Sequence, residues 1–165
     1  MTTGAIPFVE EAFGGNDIFV FVIIALGFMV IWLLPKQFES RFFSFLIISY
    51  GIVWASLFDN TIGAAPFDFY DILDGPKYTI MDVIAYLMYG PYGYFFIYIF
   101  DRFHIKGRYV AFYIILWTCF GVAFELVNVM VGVFTYKDGF TWVFSIPIYL
   151  FVQSFLLIFY KYLKG

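Results

Sequence analysis

The sequence predicts an all-α membrane protein: a bundle of about five transmembrane helices forming a single domain over residues 1–165, with the N-terminus outside and the C-terminus cytoplasmic. Three observations predict it. Hydrophobic residues make up 64% of the chain and charged residues 13%, with 25 Phe and 14 Tyr, more apolar surface than 165 residues can hide from water, so lipid must be the solvent. Five apolar runs have the roughly 17–25 residues that cross a bilayer. The cations divide unevenly between alternate turns. Lys36, Arg41, Arg102, Lys106, Arg108, Lys161 and Lys164 share one side, and only Lys77 and Lys137 the other. The richer side is expected in the cytoplasm, which leaves Glu10, Glu11, Asp17, Asp59, Asp68, Asp71 and Asp74 outside.

The polar lead over residues 1–16 has no cationic start, so it does not read as a cleaved signal peptide and the first apolar run is expected to stay. Asn16 or Asp17 is expected to cap helix 18–34, which Pro35 stops. Ser40 is placed to cap helix 42–58. Residues 59–77 form the only sizeable loop, on the outer side. Helix 79–100 opens with Thr79 and Asp82 at capping-box spacing and is interrupted by Gly90 and Pro91. Helix 109–133 follows the basic turn 101–108, whose His104 is expected near anionic headgroups. Helix 140–160 carries a second helix break at Pro147. Tyr136 and Trp142 are expected at the outer headgroup interface, and Tyr109, Tyr160 and Tyr162 at the inner one. Cys119 is expected as a small buried apolar residue, and a single cysteine makes no internal disulfide. The second and third helices resemble the fourth and fifth: each pair encloses an outer loop with Phe, Tyr and Asp, then descends through a proline, a faint sign of a parallel duplication.

The residues that stand out chemically are acids where lipid should be. Glu125 and Asn128 lie one turn apart on one face of the fourth helix. A carboxylate in hydrocarbon costs at least about 2.5 kcal/mol, so such a group faces protein or a watery cavity. At about 1.5 Å per residue Glu125 lies roughly 12 Å below Val133, in the outer half. Asp82, with Tyr86 and Tyr89, enters from the third helix, Asp59 from the end of the second, and Gln153 from the fifth. These residues are expected to converge on a polar pocket if the helices pack with those faces together. Each also has a plainer reading: Glu125, Asn128 and Gln153 as interhelical hydrogen bonds, Asp82 as a cap, Asp59 as a solvated helix end. Asp68, Asp71 and Asp74 are three apart; carboxylates suit hard cations, but the alternating acids and closing Glu of a calcium loop are absent, so a solvated loop is the favoured reading and no metal site is expected.

Other classes are disfavoured. No His lies within a predicted helix, which argues against an axial haem pair or a membrane zinc site, and no cofactor is expected. There is no Gly-x-Ser-x-Gly and no P-loop. A net charge of −3 without a basic patch argues against nucleic acid.

The runs FDNTIGAAPFDFYDILDGPKY, YGPYGYFFIYIFDRFHIKG and FELVNVMVGVFTYKDGF followed by PIYLFVQS resemble, over roughly residues 30–163, a family of small multi-spanning membrane proteins of Bacillus-type Gram-positive bacteria. The resemblance implies a bacterial plasma membrane and brings no activity with it. Three roles are compatible with the chain: foremost a non-catalytic accessory subunit working through lipids, other membrane proteins or its own copies; as the alternative, a small cation- or proton-linked transporter or channel built on Glu125; and, with least support, a carboxylate-only intramembrane enzyme using Asp59, Asp82 and Glu125.

Overall fold

The structure, a computed structural model, describes residues 13–38, 40–73, 75 and 79–165. The lead with Glu10 and Glu11, and Asp74, Pro76 and Lys77 of the outer loop, lie outside the described residues. In chain order the elements are α1 (Gly15–Leu33), α2 (Arg41–Asp59), β1 (Tyr70–Ile72), α3 (Ile80–Ala85), a 3-10 turn at Tyr86–Met88, α4 (Tyr89–Arg102), α5 (Tyr109–Met130), β2 (Phe134–Tyr136) and α6 (Trp142–Lys164). With α3 and α4 counted as one span over Ile80–Arg102, five helices are long and apolar enough to cross a membrane.

Local chemistry sets the boundaries. The Gly14 amide donates to Asp17 Oδ2 at 2.7 Å, so Asp17 caps α1 from the third helical position and the helix starts three residues earlier than expected. Ser40 Oγ accepts from the Phe42 amide at 3.1 Å, and Thr79 and Asp82 form the predicted reciprocal box. Helix α5 stops at Met130, before the expected 133, because Gly132 takes φ +78°. The Val133 amide then bonds the Asn128 carbonyl at 2.8 Å and the Gly132 amide the Val129 carbonyl at 3.2 Å, the paired bonds of a glycine-terminated helix. The break in the third span falls at Tyr86–Met88 rather than at Gly90 and Pro91. A proline's missing N–H and its ring disturb the preceding turn, while Pro91 itself occupies the first turn of α4, where no helical partner is lost. Pro147 lies inside α6, which continues through it unbroken to Lys164.

The α3–α4 span is the central post. Of its most apolar window 61% is buried, against 6 to 28% in the other four spans. Its tightest neighbour is α2. A Cβ on Gly51 would collide with the Tyr89 carbonyl, and one on Gly90 would reach Ile48 Cγ2 at 2.8 Å. At one end of the bundle Asp101 accepts from Gln37 Nε2 (2.8 Å), Lys164 Nζ (2.6 Å) and the Tyr160 hydroxyl, tying the turn after α1 to α4 and α6. At the other end β1 pairs antiparallel with β2, Tyr70 opposite Tyr136 and Ile72 opposite Phe134. The pairing joins the loop after α2 to the loop after α5, and Lys137 Nζ reinforces it at 2.5 Å from Asp71 and 3.2 Å from Asp68.

One placement differs from expectation. Cys119 is exposed on the outer face of α5; lipid gives a thiol no reason to turn inward. Tyr160 is buried against Asp101 at one end of the bundle, and Tyr136 turns inward to Glu125 at the other. Trp142, Tyr109 and Tyr162 are exposed near span ends, and apolar residues such as Trp32, Phe42, Phe112 and Ile158 cover the outer faces of the bundle.

Candidate functional site

Helices α2, α4 and α6 each contribute one stripe to a common interior space. On α2 the stripe is Gly51, Trp54, Ala55, Phe58 and Asp59; on α4 it is Tyr89, Tyr92, Gly93 and Phe96; on α6 it is Ser145, Tyr149 and Gln153 at i, i+4, i+8. Glu125 enters from α5, and Tyr70, Phe134, Tyr136 and Phe140 roof the space from the strand pair and the lead into α6. The roof is a ring cluster: Phe140 lies 5.6 Å from both Tyr70 and Tyr136, and Tyr70 lies edge-on to Phe134 at 5.9 Å. The cavity measures about 110 Å³.

Two carboxylates stand on its wall. Glu125 is 6% exposed, and its Oε1 accepts from Ser145 Oγ at 2.7 Å and from the Tyr136 hydroxyl. Tyr149 also hydrogen-bonds the Glu125 carboxyl group. Asp59 Oδ1 accepts from the Tyr70 hydroxyl at 2.6 Å. Burial, then the adjoining carboxylates, push the Tyr70 and Tyr136 phenols above their usual range, so both remain donors at ordinary pH. The floor is a polar chain. Thr118 Oγ1 donates to Gln153 Oε1 at 3.1 Å, Gln153 Nε2 to the Tyr92 hydroxyl at 3.0 Å, and that hydroxyl to the Trp117 carbonyl at 2.9 Å.

A second pocket of about 350 Å³ opens above, lined by Asp68, Asp71, Asp82, Tyr86 and Asn60 together with Asp59 and Tyr70. The Asp59–Tyr70 pair therefore belongs to both linings and is the wall between an acidic outer pocket and the aromatic cavity. Lys137 compensates Asp68 and Asp71 on the rim.

Of the residues singled out in the sequence, the structure gathers Glu125, Asp59, Tyr89 and Gln153 around the cavity and Asp82 and Tyr86 around the outer pocket. Asn128 lines neither. Its Nδ2 bonds the Phe124 carbonyl at 2.7 Å, one turn back on its own helix, while its buried Oδ1 has no hydrogen-bond partner. Gly90, Pro91 and Pro147 also stay out of both linings. Sequence reasoning missed Tyr70, Tyr136, Ser145 and Tyr149. The spacing of Ser145, Tyr149 and Gln153 was the legible signal for two of them; nothing local marks the other two, which the strand pairing brings in.

No family model, curated protein or solved structure matches the chain. Its chemistry must be argued from the site itself. Among the described residues, no three of His, Cys, Asp and Glu are grouped to hold a metal ion.

The rim bridge gives a pH prediction. Hydrogen bonding to Asp71, first among several causes, holds Lys137 above its ordinary value of 10.5. A cation raised on folding contributes fully below that ordinary value and is lost as pH rises through the folded one. The strand pair is expected to hold up to about pH 10 and loosen beyond it. Spin labels at Thr61 and Thr135 should show a distance distribution that broadens there; in Lys137→Met it should already be broad at neutral pH.

Proposed function

We propose that this chain is a multi-pass protein of a bacterial plasma membrane, N-terminus outside and C-terminus cytoplasmic, that binds a cation in the cavity and works as a small cation-linked transporter or channel. One observation carries the reading: Glu125 and Asp59, from different helices, stand on the wall of a single space inside the bundle. Two buried carboxylates around a cavity repel one another unless one takes up a proton or another cation lies between them, and ionisable groups inside a span mark ion and substrate paths. The acidic outer pocket supports the same direction of approach, since it concentrates cations before the Asp59–Tyr70 wall. The seven cations gathered at the other end of the bundle support the orientation; Lys164 pairs with Asp101, and lipid headgroups are the natural partners of the others.

A second reading rests on the hydroxyls around Glu125. Ser145, Tyr136 and Tyr149 all engage it, an arrangement that also serves as a fastener holding the strand pair to α5 and α6, in keeping with an accessory subunit that works through membrane partners. Reconstituted liposomes separate the two. For a cation-linked protein, wild type carries cation or proton flux and Glu125→Gln, nearly isosteric, loses about 30-fold or more while helix content stays unchanged. Absence of wild-type flux, with Glu125→Gln altering only resistance to unfolding, would establish the fastener instead.

A further inference from the structure

We infer that the occupant of the cavity is a small methylated ammonium ion rather than a bare metal ion, reached from the outer pocket past the Asp59–Tyr70 pair. The inference rests on the cation-binding reading above and names its substrate class. Four features of the site favour this ligand chemistry.

The walls are the first. A hard metal ion such as calcium asks for six to eight oxygen ligands at about 2.3–2.6 Å. Among the described residues no three of His, Cys, Asp and Glu are grouped to hold a metal ion, and much of the lining is ring surface of Trp54, Phe58, Tyr89 and Phe134. Aromatic faces attract quaternary ammonium groups through the ring quadrupole, without hydrogen bonds. The second is the state of the polar groups. The Tyr70, Tyr136 and Tyr92 hydroxyls already donate to Asp59, Glu125 and the Trp117 carbonyl. With those donors spent on the protein the cavity offers few hydrogen bonds to an anion, and a fully methylated ammonium, which has no N–H, asks for no acceptor. Charge is the third: Glu125 from α5 and Asp59 from α2 both line the cavity and supply counter-ions to a cation there.

Size is the fourth feature, and it narrows the class. A cavity of about 110 Å³ is somewhat smaller than the ~150 Å³ apolar cavity that accepts benzene, and far below the ~300–1,000 Å³ of sites for drug-sized ligands. Tetramethylammonium is of the right scale; tetrabutylammonium is not. The larger outer pocket, about 350 Å³ and edged by Asp68, Asp71 and Asp82, admits the hydrated ion. Its passage into the aromatic cavity exchanges water for ring faces at Asp59 and Tyr70, the residues common to both linings.

The test is calorimetric titration of the full chain in zwitterionic nanodiscs with tetramethylammonium, tetrabutylammonium and sodium chlorides, alongside sodium and proton flux in liposomes. Tetramethylammonium is expected to bind, and tetrabutylammonium and sodium not to compete with it. Glu125→Gln and Asp59→Asn should each weaken binding about 30-fold or more, and Trp54→Leu about 2- to 30-fold. Trp54→Leu leaves every carboxylate and hydroxyl in place, so its loss reads the ring contribution even where an acid variant folds poorly. Equal binding of tetrabutylammonium, or an unchanged affinity in Trp54→Leu, overturns the inference. Glu125-dependent sodium or proton flux without tetramethylammonium binding overturns it too, while leaving the cation-linked reading intact. Absence of any cation binding and any flux removes both.

Discussion

Gly51→Leu is expected to be the most disruptive single change in the bundle. Its Cβ would land on the backbone carbonyl of Tyr89, and a backbone cannot rotate aside as a side chain can. Helices α2 and α4 must separate, opening the contact where Gly90 and Gly93 also lie against α2. Close approach of backbones through small residues is the main source of helix affinity in lipid, since burial against acyl chains offers no hydrophobic gain. Overpacking by a methyl costs about 1–3 kcal/mol; Gly51→Ala should fall in that range and Gly51→Leu beyond it. The same face of α2 carries Trp54, Phe58 and Asp59, so the cavity should widen as the helices part. Gly15→Ala supplies the opposite sign. Nothing lies within 4 Å of its added Cβ, and replacing a helical glycine gains up to about 1 kcal/mol. Resistance to SDS-induced unfolding reads both. An undiminished Gly51→Leu protein would mean that α2 does not cross α4 at Gly51.

How much was legible in the sequence follows from the solvent. Span length is written plainly, because hydrocarbon imposes it: all five apolar runs form spans, with ends shifted by a few residues where Asp17 and Gly132 set the caps. Glu125 was legible for the same reason, as a group that lipid penalises. The inward faces were not, because in a membrane both faces of a helix are apolar and only small and polar residues distinguish them. Gly51, Ser145 and Gln153 mark the interior; Cys119, which no polar neighbour claims, points out. The strand pair escaped because three residues a side carry too little alternation to read, although FTY and YDI are rich in residues that favour strands. That omission hid half of the site, since Tyr70 and Tyr136 reach the two carboxylates only through the pairing.

The second large effect concerns Glu125 as a fastener, and a double-mutant cycle with Tyr136 measures it. Glu125→Ala removes the acceptor shared by Ser145 and Tyr136, whose hydroxyls then face a space walled by rings. A buried donor left without a partner costs about 1–3 kcal/mol, but hydrogen bonds inside membrane proteins average only about 0.6 kcal/mol because the unfolded state finds partners as well. The hydroxyls here have few other acceptors within the roof, so Glu125→Ala should fall near the upper of these figures, at about 2–3 kcal/mol. Glu125→Gln keeps an acceptor oxygen and should cost less than about 1 kcal/mol. Tyr136→Phe keeps the ring packing against Phe140 and gives up only the bond, at about 0.6–1.7 kcal/mol. If the bond is the link between strand pair and bundle, the two losses overlap: Tyr136→Phe should cost almost nothing in the Glu125→Ala background, a coupling of more than about 0.5 kcal/mol. Strict additivity would show that Tyr136 and Glu125 act independently, and the roof would then owe its position to its other ties: the Tyr70–Asp59 bond, the strand pairing, ring packing and the Lys137 bridge.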